Sequence, residues 1–208
     1  GPLRPGNPLE FDARWAVARR GEKSALAVPD RGSMWVSSRT MSEAEDTKLA
    51  LDYAYHWEQA RANEVFMTQP MGGGKIVTFT WAEVLRQARS MAAFLRSQNY
   101  EASSQIAIVS KNTAQWIMAD LAIWMAGHVS VPVYPTNTRE EIRYVLEHSE
   151  AKMLFYGKLD DPAEVRAGIP EGMSGVALPL SEGSEYPTWD AIVGEHAPIE
   201  DSPRRGAD

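Results

Sequence analysis

The run Gly72-Gly73-Gly74-Lys75, inside the stretch QPMGGGKIVTFTWAEV, has the residue types of a phosphate-holding loop. Holding phosphate takes converging backbone N–H groups and a helix N-terminus that favours negative charge. The nucleotide pattern G-x-x-x-x-G-K-[ST] also sets a hydroxyl directly after the lysine. Here Ile76 follows Lys75, and the residues beyond it alternate as a strand does. The spacing G-x-G-x-x-G is missing as well. The run therefore predicts a hairpin loop, in which glycines supply the positive φ values the turn needs.

Other chemistry-bearing residues are sparse. The four histidines are His56, His128, His148 and His196. No H-x-x-x-H pair joins them, so metal spacing is lacking. No Ser or acid is paired with any of them by position. The run TREEIRYVLEHSE, with Arg139, Glu140, Arg143 and Glu147, predicts a solvated helix face. Trp81, Met91, Trp116, Trp124 and Met125 recur at helical spacing, which predicts core. On residue types alone the catalytic, cofactor-binding and metal sets are all empty.

Composition narrows the class. The 208 residues are 44% hydrophobic and 24% charged, ordinary globular values, with a formal net charge of -7. That charge argues against nucleic acid as a partner, because the phosphate backbone rewards clustered Lys and Arg. The absence of cysteine excludes disulfides, thiolate metal sites and cysteine nucleophiles. No apolar run is long enough for a transmembrane segment, and no signal-peptide pattern is visible. A cytoplasmic location is expected. Residues 1–40 stand apart, with seven Lys/Arg against four Asp/Glu, four prolines and no sustained period. They begin GPL, the kind of remnant a tag-removing protease leaves, and Met34 and Met41 are candidate native starts. This leader, 1–40, is expected to be tag-derived or poorly ordered, and 41–208 to be the domain proper.

The elements of 41–208 follow from local signals. Ser42 and Glu45 have capping-box spacing and predict a helix from there through about Ala62. EVFMTQ and KIVTFT predict two strands, with Pro70 ending the first. Thr80 and Glu83 form a second box before an amphipathic helix in which Trp81, Val84, Leu85, Ala88, Met91, Ala92 and Leu95 fall on one face at helical spacing. SQIAIVS predicts a buried strand. A nearly all-apolar helix follows, starting near Asn112 or Thr113 and stopping at Gly127. HVSVPVYP is a strand whose Pro132 must sit at an edge or bulge. Thr138 and Glu141 cap another helix, and KMLFYG and SGVALPL predict further strands. Past Gly183 the pattern thins into a tail that includes His196. The alternation of strand and helix indicates crossover units, hence an α/β fold with a largely parallel sheet flanked by helices after an early β-hairpin.

Segment 105–157 resembles the N-terminal part of the adenylate-forming (AMP-binding) enzymes, most of all the AMP-forming long-chain fatty acid–CoA ligases. The likeness rests on Asn112, Trp116, Gly127, Pro132, Tyr134, Pro135 and Tyr144, and on the SEAK run Ser149, Glu150, Ala151 and Lys152. Thr80, Trp81 and Glu83 also match the family's early T-(Y/W)-x-E helix start. The resemblance covers roughly 45–208. It implies a large N-terminal domain and a mobile C-terminal lid. It further implies a two-step reaction: a carboxylate attacks the α-phosphate of ATP, then the thiol of CoA displaces AMP. ATP, magnesium and CoA are thereby implied for the full-length enzyme, with a fatty acid as substrate. Peripheral membrane association of that enzyme is compatible with the reading.

The family's phosphate loop resembles TSGTTGxPKG, and nothing in the 208 residues matches it. The chain is therefore expected to be an N-terminal portion ending before that loop, with no cofactor bound and no activity alone. No family catalytic residue falls within it. The helix from about Thr113 to Ala126 is a candidate wall for an acyl tunnel. Homo-oligomer formation or other self-association is expected from apolar surface left uncovered. A rival reading is a stand-alone, non-catalytic binding domain of the same fold. A flavodoxin-like mononucleotide binder is a weaker one, since no strand leads into a glycine-rich turn.

Overall fold

Four short parallel strands form the centre, and each of the first three is followed by a helix that crosses over to the next strand. The computed structural model describes residues 48–204. The expectations for the 1–40 leader and for Ser42 and Glu45 lie outside the described residues. Within them, α1 is Ala50–Arg61 and follows the non-helical residues Lys48 and Leu49, so the first described helix starts later than expected. Asp52 begins it instead, accepting from the Leu49 N–H at 2.8 Å.

The hairpin pairs β1, Val65–Gly72, with β2, Lys75–Thr80. Pro70 does not end β1 as expected; it pairs with Ile76, and the ladder shifts register beyond it, between Pro70 and Gly72. A two-stranded ribbon has free edges on both sides, so a residue without an N–H is tolerated. Helix α2, Trp81–Ser97, then begins at a full capping box. Glu83 N–H donates to Thr80 Oγ1 at 3.2 Å, and Thr80 N–H donates to Glu83 Oε2 at 2.8 Å. Satisfying these orphan amides is worth about 1 kcal/mol over alanine at the cap.

The sheet has the order β4-β3-β5-β6, with β3 at Gln105–Val109, β4 at Val129–Val133, β5 at Met153–Tyr156 and β6 at Ser174–Ala177. All its pairings are parallel. The chain steps from β3 outward to β4, then returns past β3 to β5. Right-handed crossovers must therefore put the two connecting helices on opposite faces. Helix α3, Ala114–Met125, joins α1 and α2 over Ile106, Ile108, Met153 and Phe155. Helices α4, Arg139–His148, and α5, Pro162–Gly168, cover Ala107, Val109, Leu154 and Tyr156 on the other face. Strand β5 is buried at every position, as a central strand between two helical layers must be. Pro132 sits on the edge strand β4, as expected.

Two loop closures explain local motifs. Gly127, at φ +82°, ends α3: its N–H reaches Trp124 O at 3.0 Å, and the His128 N–H reaches Ile123 O at 3.0 Å. That is the Schellman pattern, which favours glycine at this position. Glu150 of the SEAK run does the same for α4 at φ +54°, with the Ala151 N–H on Leu146 O at 3.2 Å.

Two elements are additions to the sequence reading. Helix α5 has no counterpart in it, although Asp161 caps this helix and Pro162 begins it. Helix α6, Trp189–Glu195, occupies the segment expected to thin into a tail. Its Trp189 is fully buried beside Phe155, with Nε1 donating to Gln87 Oε1 at 2.9 Å. The chain beyond it packs back on α1 and α2. Arg96 makes paired bonds of 3.0 Å to Asp201, and Tyr55 Oη donates to Pro203 O at 3.0 Å. Burial pushes the Tyr55 hydroxyl up to about 12.

Candidate functional site

In an open parallel sheet, ligands bind beyond the carboxyl ends of the strands, where the strand order reverses. Here that point lies between β3 and β5. The residues there are Ser110, Lys111, Asn112 and Thr113 on one side, and Gly157, Lys158 and Asp160 on the other.

The crevice is bonded to itself. Gly157 N–H donates to Val109 O at 3.0 Å, and Lys111 N–H to Lys158 O at 2.8 Å, so the pairing runs past both strands. Ser110 is buried; its Oγ donates to Lys111 O at 2.6 Å and accepts from the Lys158 N–H at 3.1 Å. A Cβ at Gly157 would collide with Ser110 Oγ, so only glycine permits this approach. Lys111 Nζ is held by Asp160 at 2.5 Å.

The first turn of α3 is also occupied. Thr113 caps it, accepting from the Trp116 N–H at 3.1 Å. The Ala114 N–H donates to Gln69 Oε1, a hairpin side chain, at 2.9 Å. A cleft of about 290 Å³ lies alongside, between Met67–Pro70 and Asn112–Ala114. A second cleft, of about 330 Å³, lies between α5 and the 183–186 loop. There Arg166 donates to Gly183 O, and burial raises the hydroxyls of Tyr156 and Tyr186.

Each residue singled out from sequence has a place. Gly72, Gly73 and Gly74 form the hairpin tip at φ +88°, +57° and +78°, and a Cβ on any of them would meet nothing within 4 Å. The tip is exposed, with Lys75 beginning β2 and no helix beside it. The glycine run is a turn. His148 stacks on Tyr144, and His56 meets the Trp57 edge. His196 lies against Phe94, with Nδ1 3.0 Å from Ile192 O; it is packed, whereas a loose tail was expected. His128 is buried, and burial lowers its pKa. Met91 and Met125 are fully buried, while Trp81, Trp116 and Trp124 pack partly exposed against the core. Arg139 reaches across to Glu164 at 2.6 Å and ties α4 to α5, while Arg143 meets Glu147 within α4 at 3.7 Å.

Sequence reasoning missed three polar groups. Gln69 and Ser110 are the first two. The third is Asp120 on α3, whose carboxyl burial pushes up, opposed by a hydrogen bond from the Ser130 hydroxyl. Ser130 Oγ also accepts from Trp124 Nε1 at 3.1 Å. An acid four residues before a tryptophan on an otherwise apolar helix was the available signal.

Among the described residues, no cluster of three His, Asp or Glu is placed to hold a metal ion, and no helix is long and apolar enough to cross a membrane. The geometry at the switch point builds a rigid junction. It offers no nucleophile beside a base.

Comparison with known proteins supplies what this geometry does not. The profile of the AMP-binding enzyme family matches residues 55–199. The long-chain-fatty-acid–CoA ligase FadD15 of Mycobacterium bovis is 40% identical over 76 residues, 36% of this chain and 13% of that protein. Tyrocidine synthase 2 of Brevibacillus parabrevis is 33% identical over 75 residues, 36% of this chain and 2% of that one. Among solved structures, a benzoate CoA ligase from Burkholderia xenovorans LB400 superimposes with a TM-score of 0.62 at 23% identity. That match covers 76% of this chain and 30% of the other, and at such identity it speaks for the fold. The chain thus spans only a small part of the length of the curated relatives it matches.

Proposed function

This chain belongs to the AMP-binding enzyme family, and from that premise we propose that it is the N-terminal part of the adenylation domain of an ATP-dependent long-chain fatty acid–CoA ligase. The observation that carries the reading is the family match over 55–199. The 40% identity to a fatty-acid ligase favours a fatty acid over an aromatic or amino acid, and the VPVYPTNT run agrees with it.

In the proposed reaction a carboxylate oxygen attacks the α-phosphorus of ATP, and the bond to pyrophosphate breaks. The sulfur of CoA then attacks the acyl carbon, and AMP leaves with the bonding pair. ATP and magnesium supply the activating chemistry of the first step. The described residues do not fit either group: the glycine run lacks a helix, and the switch point is filled by Ser110 and its partners.

What these residues do is hold a scaffold. The zipped end of β3 and β5 sets the direction in which α3 leaves the sheet. Arg96 then binds Asp201 and, through Nη2, Met125 O at 2.9 Å, so the returning chain is tied to the end of α3. Most of α3 is already packed inside this domain; Ile117, at 38% exposure, and the half-buried Trp116 and Trp124 are what it offers an acyl chain.

Pyrophosphate exchange tests the reading. Full-length protein should exchange label into ATP with long-chain fatty acids and not with benzoate or amino acids. The 208-residue chain alone should give none. Exchange with aryl or amino acids only would overturn the choice of acid, and exchange by the short chain would overturn the scaffold role.

A further inference from the structure

From the burial and bonding of Gln69 we infer that the β1–β2 hairpin is a flap, held shut over the start of α3 by one carboxamide. This goes beyond the adenylation reading and does not depend on which acid is activated.

An isolated two-stranded hairpin is marginal in water, so something must hold it down. Along β1 and β2 the one buried residue is Gln69, at 8% exposure. Val65 and Ile76 are 57% and 61% exposed, and a Cβ on any glycine of the tip would meet nothing within 4 Å. Phe66 stacks on Trp81 of α2, and Met67 and Phe79 pack partly buried against the core, contacts that hold the hairpin down without bonding it to the first turn of α3.

That bond comes from Gln69. Its Nε2 donates to Pro70 O at 2.8 Å, which fixes the amide's orientation. Its Oε1 then accepts the Ala114 N–H at 2.9 Å, in a buried bond between positions 45 apart in sequence. Ala114 is the first residue of α3, and its amide has no partner inside the helix. A buried amide must find an acceptor or carry a desolvation cost, so hairpin and helix start need each other. Pro70 contributes here too. It keeps the carbonyl that orients the carboxamide while presenting no N–H of its own. When the flap lifts, the Ala114 amide is bared beside the cleft between Met67–Pro70 and Asn112–Ala114. Gln69 is thus a positioning residue for the strand-to-helix turn at 110–114.

Amide hydrogen exchange on the 208-residue chain tests this, with β5 amides reporting global opening. In the unaltered chain, Ala114 and the hairpin amides should open together, and more readily than those of Met153–Tyr156. Gln69→Met keeps side-chain length and removes both bonds. It should speed exchange at Ala114 and across 65–80 by about tenfold while β5 changes little. The inference fails if Gln69→Met leaves Ala114 exchange unchanged, or if β5 accelerates equally. Should the variant not fold, the unaltered chain still decides: Ala114 opening independently of the hairpin overturns the flap.

Discussion

Two turns in this molecule invite comparison as phosphate loops. The tip at Gly72–Lys75 has the composition, three glycines and a lysine. The turn at Ser110–Ala114 has the position, at the carboxyl end of a parallel strand, leading into a helix. The tip lacks a helix and a second wall: a strand begins at Lys75, and a Cβ on any of its glycines would meet nothing within 4 Å. The turn has both, but three of the donors around it are spent: Lys111 N–H on Lys158 O, Lys158 N–H on Ser110, and Ala114 N–H on Gln69. Anion binding requires amides that converge and are unclaimed. Each turn meets half of that condition, and the comparison shows why neither glycine content nor topology is sufficient.

Substitutions can break or sharpen the contrast. The largest effect is expected at Gly157, where added carbon atoms collide with Ser110 and part β3 from β5. Gly157→Val should cost about 2–4 kcal/mol in urea or guanidinium denaturation, in the range of overpacking within a buried site. A midpoint like that of the unaltered chain would mean the two strands are not held so close. Ser110→Ala comes next. It leaves the Lys158 N–H without its acceptor and should cost about 1–2 kcal/mol. Lys75→Ala should be smallest, within about 0.5 kcal/mol, since the residue is exposed on a hairpin tip. A larger loss there would give the glycine loop a structural role that the geometry denies it.

How much was legible depended on the range of the cause. The boxes at Thr80–Glu83 and Thr138–Glu141 were legible because a cap is satisfied three residues away. Gly127 and Pro132 were legible because backbone geometry restricts them wherever they stand. Helix α6 was not. Seven residues are too few to nucleate alone, and its stability comes from Trp189 packing beside Phe155 and bonding Gln87, 102 positions earlier. Pro70 misled because the rule that proline ends a strand assumes a partner on both edges.

The candidate site follows the same division. That the glycine run is a turn was evident from Ile76 and the strand after it. That the switch point is closed was not, because Ser110 and Gly157 are far apart in sequence and their close approach exists only in the folded sheet. The family match likewise rests on a string of local features spread over 55–199, which sequence comparison can see.

Sequence alone determined the α/β class, the helix starts at Thr80, Thr113 and Thr138, the turns at Gly72–Gly74 and Gly127, and the family, since propensity, period and motif are properties of neighbouring residues. Only the tertiary structure decided which backbone donors are spent and which helices lie on each face of the sheet. It also decided that one glutamine joins the hairpin to α3. Those facts depend on groups far apart in the chain meeting within hydrogen-bond distance, and short-range spacing carries no record of that.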